Sequence, residues 1–539
     1  MKLTFYGAAR TVTGSCHMLE ACGKKILIDC GLQQGKGEID NSDLGFHPGE
    51  VDLVILTHAH IDHSGRVPLL IKQGFQGRIL CTSLTKQLLG IMLLDSAHIQ
   101  ESEAEWANQK GKRAGREEVE PLYTMADAQQ CLTMIDSAEY GEAVELFEGI
   151  TMYLRDAGHL LGSAFVELFV TDGGETKKIV FSGDIGNINQ PIIRDPDPVT
   201  EADFVVMEST YGTRDHDTES SYTEALAAVL DETFAKGGNV IIPAFAVGRT
   251  QELLYFFREI KERGLVKSLP NFPVYVDSPL AREATRIFAG DLTGYLDHDA
   301  EELVDDGIAM LTFPDLRLCE SVEESKLLNA DLNPKVVISA SGMCDAGRIR
   351  HHLKHNLWRP ECTVVFVGFQ AVGSFGRNLL DMREREEEER VVRMFGEEVT
   401  VKARIENYQG LSSHADRTHL MQWIAGFHPV PKHVFVVHGE ETSAETFAMN
   451  LVDNGIPAHA PFHLEEYSLD RNTVIKPGVP LPDKVRKHMH ESQAYTELLQ
   501  ISEKVLGFVK ESRQGPNKEL RAMSRQLQKL LDNWEDVGH

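Results

Sequence analysis

THAHIDHSG, residues 57–65, places His58, His60, Asp62 and His63 within six consecutive positions. The preceding "VDLVILT" is apolar and β-branched and reads as a buried strand, so these side chains stand at a strand mouth. Each imidazole there must find a partner or stay in water. On an extended strand end or tight loop His58 and His60 point the same way, and Asp62 and His63 can face a second point. Imidazole and carboxylate together suit Zn²⁺. The four side chains either fill one closed structural site or supply parts of two open catalytic ones. His159 in "RDAGHLLGSA", Asp184 in "FSGDIG" and His438 in "FVVHGE" each follow a further strand-like run, which favours two sites. Paired ions lie about 3.5–4 Å apart and need a bridging carboxylate, for which Asp184 is the candidate.

The elements that must position these groups fall into blocks. Residues 1–205 alternate short apolar strands with loops, and the strand tips repeatedly end in Asp, His or Glu, as in a site built on loops held by a rigid sheet. Residues 209–390 repeat a strand–loop–helix grammar, for example "GGNVIIPAFAVGRTQELLYFFREI", which implies a parallel α/β sheet. Residues 391–464 return to strands ending in histidine, so the middle block reads as an insertion. The expected domains are 1–208, 209–390, 391–482 (completing the first) and a helical C-terminal extension, 483–539. In that extension Leu498, Ile501, Val505, Phe508 and Val509 form an apolar face suited to docking on the body or to a dimer contact. The charge run 381–393 reads as a solvated face.

Bulk properties restrict the function classes. A chain of 539 residues exceeds one hydrophobic core, and 42% hydrophobic with 25% charged residues is ordinary for a globular protein. No apolar run reaches bilayer length, and "MKLTFYGAARTVTG" lacks the core of a signal peptide. The eight cysteines are scattered without a C-x-x-C pair, as expected of reduced thiols in a cytoplasmic enzyme. A net charge of −28 argues against nucleic-acid binding by the surface at large, so any such binding must rest on a local site.

Taken in order, "LIDCG" (Asp29), "THAHIDHSG", "DAGHLLGSA" and "FSGDIG" resemble the metallo-β-lactamase superfamily. The resemblance implies an αββα sandwich in which His58, His60 and His159 hold one zinc, Asp62, His63 and His438 hold the other, and Asp184 bridges. Asp29, one shell out, would fix a ligand imidazole through its second ring nitrogen. The continuation through "VVMESTYGTRDH", "PAFAVGRTQELLY", "VDSPLA", "ISASGM", "GFQAVGSFGR", "LSSHAD" and "VVHGE" resembles the β-CASP nucleases over roughly residues 1–464. It is more similar to the 3′-end-processing type than to ribonuclease J. That likeness implies an inserted β-CASP parallel α/β domain, with Glu208, His414 and His438 at the three family motifs; a histidine at the third resembles the RNA-directed members.

The expected function is a zinc-dependent ribonuclease carrying two Zn²⁺, or Mn²⁺ on the same donors. It would cut single-stranded RNA, preferentially internally, by a two-metal-activated hydroxide, leaving 5′-phosphate and 3′-hydroxyl ends. Asp62 would receive or orient the nucleophile's proton, and His414, oriented by Glu208, would protonate the leaving ribose oxygen. A DNA nuclease of the same branch, a 5′-exoribonuclease and a small-molecule metallohydrolase are the alternatives. The Ser341–Gly342 amides and the helix start after them are expected to cradle a phosphate. Arg249, Arg348, Arg350, His351, Lys354 and Arg377 are expected to line a local basic channel. A homodimer through the C-terminal region is a further expectation.

Overall fold

Strand alternation builds the first pair of layers. In the strand Leu53–Ile55, Leu53 and Ile55 point into one apolar cluster while Val54 points into another. Phe204–Glu208 does the same, with Phe204 and Val206 facing inward and Val205 and Met207 outward. Two sheets with this pattern bury a shared core between them and cover their outer faces with helices. The computed structural model describes residues 1–34, 40–112, 118–216, 221–370, 373–386, 389–480 and 524–525.

The first sheet has eight strands, running from the edge Thr473–Lys476 through Glu466–Ser468, Lys2–Gly7, Cys16–Ala21, Lys24–Ile28, Leu53–Ile55 and Arg78–Cys81 to Ile135–Ser137. The second has seven, in the order Ala458–His459, His433–Val437, Phe204–Glu208, Glu175–Phe181, Ala164–Asp172, Ile150–Asp156 and Val144–Phe147. Helices Val67–Lys72, Ser83–Lys112 and Met125–Leu132 cover the first sheet, and Arg417–Ala425 and Glu441–Asp453 cover the second. This is the expected αββα sandwich. Late strands complete both sheets.

A third sheet of six strands is parallel throughout, in the order Leu316–Leu318, Val274–Val276, Val336–Ser339, Val240–Pro243, Thr363–Phe366 and Arg404–Asn407. Ile241, Val337 and Val364 face one helical layer, and Val240, Val336 and Ile338 face the other, so both faces are covered. The helix Ser83–Lys112 packs against Pro279–Phe288 and joins the sandwich to this inserted domain. The last strand of the parallel sheet, Arg404–Asn407, lies beyond residue 390, where the sequence analysis ended the insertion. The charge run there leads into a two-stranded hairpin, Val391–Met394 with Glu397–Thr400, before the chain re-enters the sheet.

By contacts the chain divides into Met1–Val479 and Pro480–His539. The expected C-terminal extension and its apolar face lie outside the described residues, apart from helical Ser524 and Arg525. No helix among the described residues is long and apolar enough to cross a membrane. All eight cysteines are free thiols.

Candidate metal centre

The donors meet because parallel strands bring their carboxyl ends together. Glu175–Phe181, Phe204–Glu208 and His433–Val437 are adjacent and parallel, and Asp184, Glu208 and His438 stand at their ends. Asp29 follows Lys24–Ile28, and His159 follows Ile150–Asp156. The strand Leu53–Ile55 runs through Thr57–His60 into the short helix Ile61–Ser64. Its loop sits tightly on the "LIDCG" turn, where a side chain on Gly31 would place its first carbon 1.6 Å from the Asp62 carbonyl oxygen. His414 arrives on a segment stitched to the Asp184 loop, with Ala415 N donating to Ile185 O (2.8 Å) and Asn187 N to Ser413 O (2.9 Å).

Two donor sets result. In the first, His60 Nδ1 lies 3.1 Å from His58 Nε2 and 3.2 Å from His159 Nε2. Asp184 Oδ2 is 3.5 Å from His58 Nε2 and 3.4 Å from His159 Nε2. In the second, His63 Nε2 is 3.2 Å from both His438 Nε2 and Asp184 Oδ1, and His438 Nε2 is 3.5 Å from Asp62 Oδ2. Tetrahedral zinc bonds of about 2.0–2.2 Å imply donor–donor edges of about 3.3–3.6 Å. Three of the seven distances fall in that range and the other four, at 3.1–3.2 Å, lie just under it. Asp184 belongs to both, one oxygen to each.

Hydrogen bonds outside the cluster assign the ring tautomers. The Thr57 hydroxyl donates to Asp29 (2.9 Å), so His58 Nδ1–H donates to Thr57 Oγ1 (3.1 Å) and its Nε2 lone pair faces inward. His159 Nδ1 donates to Ser413 O (3.2 Å), His63 Nδ1 to Asp29 Oδ2 (2.7 Å) and His438 Nδ1 to Thr210 Oγ1 (3.1 Å). Four Nε2 lone pairs therefore converge, the arrangement expected of metal-ligating histidines. Asp184 Oδ1 is buried and accepts no hydrogen bond. An orphaned carboxylate oxygen beside inward lone pairs fits a cation and little else. Asp29 and His438 hold left-handed backbone, φ +60° and +48°, at a cost of about 1–2 kcal/mol each.

The protonation states agree. Burial pushes His58 and His159 well below the ordinary imidazole range, and His60 down to about 4, which keeps them neutral. Burial would raise Asp62, but His438 and His63 outweigh it and hold the carboxyl down at about 2. Burial opposes the same effect at Asp184, and its surrounding imidazoles again prevail, leaving it well below the usual range. For His63 burial is outweighed by Asp184 and Asp29, whose negative charges hold it well above its ordinary value and favour positive charge at this point.

Glu208 and His414 stand alongside. His414 Nδ1 lies 3.0 and 3.2 Å from the two Glu208 oxygens, which also accept Ile185 N (2.7 Å) and Thr210 N (3.2 Å). The His414 ring is 4.5 Å from that of His159 and 6.0 Å from that of His438. Burial lowers its pKa, but Glu208, Asp184 and Asp62 outweigh burial and lift it to about 9. His60, Asp62 and His414 are half-buried while the other donors are buried, so the centre opens to solvent on their side.

The expected substrate contacts are placed differently. Ser341 N is spent on Ala346 O (3.3 Å), and the first helical amides, Ile349 N and Arg350 N, on Ala340 O and Gly347 O. That loop closes on itself, and of the expected cradle only the Gly342 amide stays outside this network. Arg249 is buried against Glu252, and Arg348 bonds Asp277 (2.6 Å), so neither stands free for a phosphate. Lys354 pairs with Glu397 (2.8 Å) and Arg377 with Asp381 (2.8 Å). His351 is exposed and stacks on Phe395, with Arg350 beside that ring. Thr57, Thr210 and His216 also support the site; His216 Nε2 donates to His414 O (2.9 Å), and its one sequence signal is its place close after Glu208 in "ESTYGTRDH".

Residues 18–193 match the metallo-beta-lactamase superfamily domain, residues 250–379 the Beta-Casp domain, and residues 398–461 the Zn-dependent metallo-hydrolase RNA specificity domain. The chain is 37% identical over 442 residues to Ribonuclease TTHA0252 of Thermus thermophilus, covering 82% of this chain and 94% of that protein. It is 30% identical to the transcription termination factor FttA of Methanosarcina mazei, over 84% of this chain and 69% of that protein. It is 28% identical to the RNase J-like protein of Methanocaldococcus jannaschii, over 83% of this chain and 95% of that protein.

Proposed function

The chain belongs to the β-CASP branch of the metallo-β-lactamase superfamily, and from that membership we propose that it is a metal-dependent endoribonuclease acting on single-stranded RNA. The observation that carries this reading is a donor set of His58, His60, His159 and Asp184 beside one of Asp62, His63 and His438, linked by the 3.2 Å approach of Asp184 Oδ1 to His63 Nε2, with a carboxylate-held histidine at their open side. Three named relatives support it: a ribonuclease, an RNase J-like protein and a termination factor.

His58, His60, His159 and Asp184 would hold one divalent ion, and Asp62, His63, His438 and Asp184 the other, with zinc the metal these donors suit. Such ions neutralise phosphate charge and lower the pKa of water to about 7. The chain's own residues do the rest. Asp62, ionised and half-buried, orients the attacking water by accepting its hydrogen bond. Glu208 binds His414 at Nδ1, leaving Nε2–H to protonate the departing ribose 3′-oxygen. Loss of that oxygen leaves a 3′-hydroxyl on one fragment and a 5′-phosphate on the other. Asp29 holds the His63 tautomer from behind.

The test is product mapping on an end-labelled, unstructured RNA bearing either a 5′-hydroxyl or a 5′-monophosphate. Internal cuts indifferent to the 5′ end, abolished by His60→Ala and Asp184→Ala, are expected. Stepwise loss from the phosphorylated end would make it an exonuclease, preference for the matched DNA a DNA nuclease, and undiminished cleavage by both variants would refute the centre.

A further inference from the structure

A phosphodiester chain entering the centre needs cations beyond the scissile bond, and most of the arginines and lysines expected to supply them are paired with carboxylates. Arg214 is not. It is exposed, and among the described residues it makes no ion pair. The carboxylate next to it in sequence, Asp215, is engaged by Arg417 (2.5 Å) and by the Thr418 amide (3.0 Å) and hydroxyl (2.9 Å). Rings hold Arg214 instead of charges: its guanidinium carbon lies 4.8 Å from the Tyr211 centroid and 5.8 Å from that of Phe369. Its backbone is fixed on both sides, N donating to Tyr211 O (3.1 Å) and O accepting from Arg417 N (3.1 Å).

The position relates directly to the centre. Tyr211 is buried, stands edge-on to the His216 ring at 4.5 Å and lies 6.3 Å from the His414 ring. Arg214 is therefore one aromatic ring removed from His414. A guanidinium stacked through its face keeps its N–H edge available, and that edge matches two phosphate oxygens. One donor reaches the Tyr211 side chain, and no carboxylate among the described residues pairs with the rest of the fork.

We propose that Arg214, held by Tyr211 and Phe369, binds the backbone phosphate next to the scissile one in a single-stranded RNA. The proposal rests on the ribonuclease reading and deepens it. His414 serves the bond that breaks, and a cation one ring farther out is placed for the next phosphate along the strand. Arg214 takes no part in bond breaking; it positions the strand.

The experiment combines Arg214→Ala with an RNA in which each phosphate flanking the cut is replaced in turn by neutral methylphosphonate. A charge-assisted contact of about 1.5–3 kcal/mol corresponds to roughly 10–150-fold in kcat/KM. Arg214→Ala should lose that much on all-phosphate RNA. One methylphosphonate position should cost the parent a similar factor and cost Arg214→Ala nothing further. Arg214→Lys should recover part of the loss, because an ammonium lacks the fork. Losses that multiply at every position, or an Arg214→Ala that cleaves like the parent, overturn the proposal. If the parent cuts no RNA, the ribonuclease reading falls by itself; the same pairings then read as dissociation constants by fluorescence anisotropy, and multiplicative losses there overturn the Arg214 contact.

Discussion

Asp29→Asn changes one oxygen for an amide at almost constant volume, and the structure says where the change is felt. Asp29 is 1% exposed and accepts hydrogen bonds from Thr57 N (2.8 Å), Thr57 Oγ1 (2.9 Å) and His63 Nδ1 (2.7 Å). An asparagine keeps an acceptor for Thr57 N but points its NH₂ at two donors. The threonine hydroxyl can rotate away. His63 relieves the clash only by moving its proton to Nε2, the nitrogen that lies 3.2 Å from Asp184 Oδ1 and from His438 Nε2. The second donor set then loses a lone pair. Outer partners of metal ligands are worth about 10–100-fold in affinity, or about 1.4–2.7 kcal/mol. The first set feels the change only indirectly, through the Thr57 hydroxyl that accepts from His58 Nδ1, and should weaken less. A titration against a chromophoric chelator, counting ions per chain, is expected to show two comparable sites in the parent and one weakened site in the variant. Two parental sites in Asp29→Asn would refute the tautomer argument, and equal weakening of both would refute the division into separate sets.

Three further substitutions probe the same centre and its scaffold. His414→Ala should retain its metal and lose about 10²–10⁴ in kcat on RNA, but little on bis(p-nitrophenyl) phosphate, whose leaving group needs no proton; equal losses on both substrates would show that His414 is not the acid. Gly31→Ala drives a Cβ to 1.6 Å from Asp62 O and 2.2 Å from its carbonyl carbon, so circular dichroism should stay near parental while bound metal and cleavage fall; a full metal complement would contradict that contact. His433 is pushed down to about 4 by burial and by its neighbour His459, to which it is bonded at 2.7 Å. A depressed histidine contributes stability that is present above its unfolded pKa of about 6.5 and is lost as pH falls toward 4, because the unfolded chain takes the proton more readily. Urea midpoints of chelated protein should therefore drop more steeply between pH 6.5 and 4 in the parent than in His433→Gln; parallel curves would remove His433 from the acid response.

Convergence of the seven metal-site candidates was legible in the sequence because it follows from short-range rules. H-x-H-x-D-H at a strand mouth splits into two directions by local geometry, Asp184 and His438 follow strands whose parallel neighbours end at the same level, and His159 follows another strand of their sheet. The supporting groups were not legible. Threonine hydroxyls such as Thr57 and Thr210, and the Ser413 carbonyl, look like any others until folding sets them behind an imidazole. Arg249 is a different case: its partner Glu252 lies three residues on in "RTQE", a helical ion-pair spacing that already argued against a role in the channel. Arg348 offered no such hint, since Asp277 is 71 positions away. That Arg404–Asn407 joins the parallel sheet was not legible for a related reason. A run of charges marks exposure, and exposure alone does not say on which side of a hairpin the sheet resumes.

Charge placement explains how so acidic a chain presents a site for a polyanion. At −28 the exterior repels RNA, and the carboxyls of Asp62 and Asp184, both held below the usual range, add to that repulsion at the centre itself. Attraction must come from cations that the fold gathers at one place. The orphaned Asp184 oxygen and the inward lone pairs call for metal ions, Glu208 keeps a proton on His414, and aromatic faces instead of carboxylates hold Arg214. Elsewhere Arg249 and Arg348 are cancelled by Glu252 and Asp277. Cations gathered beside the centre would draw phosphate to the point where the bond is cut, which a uniformly basic surface would not do.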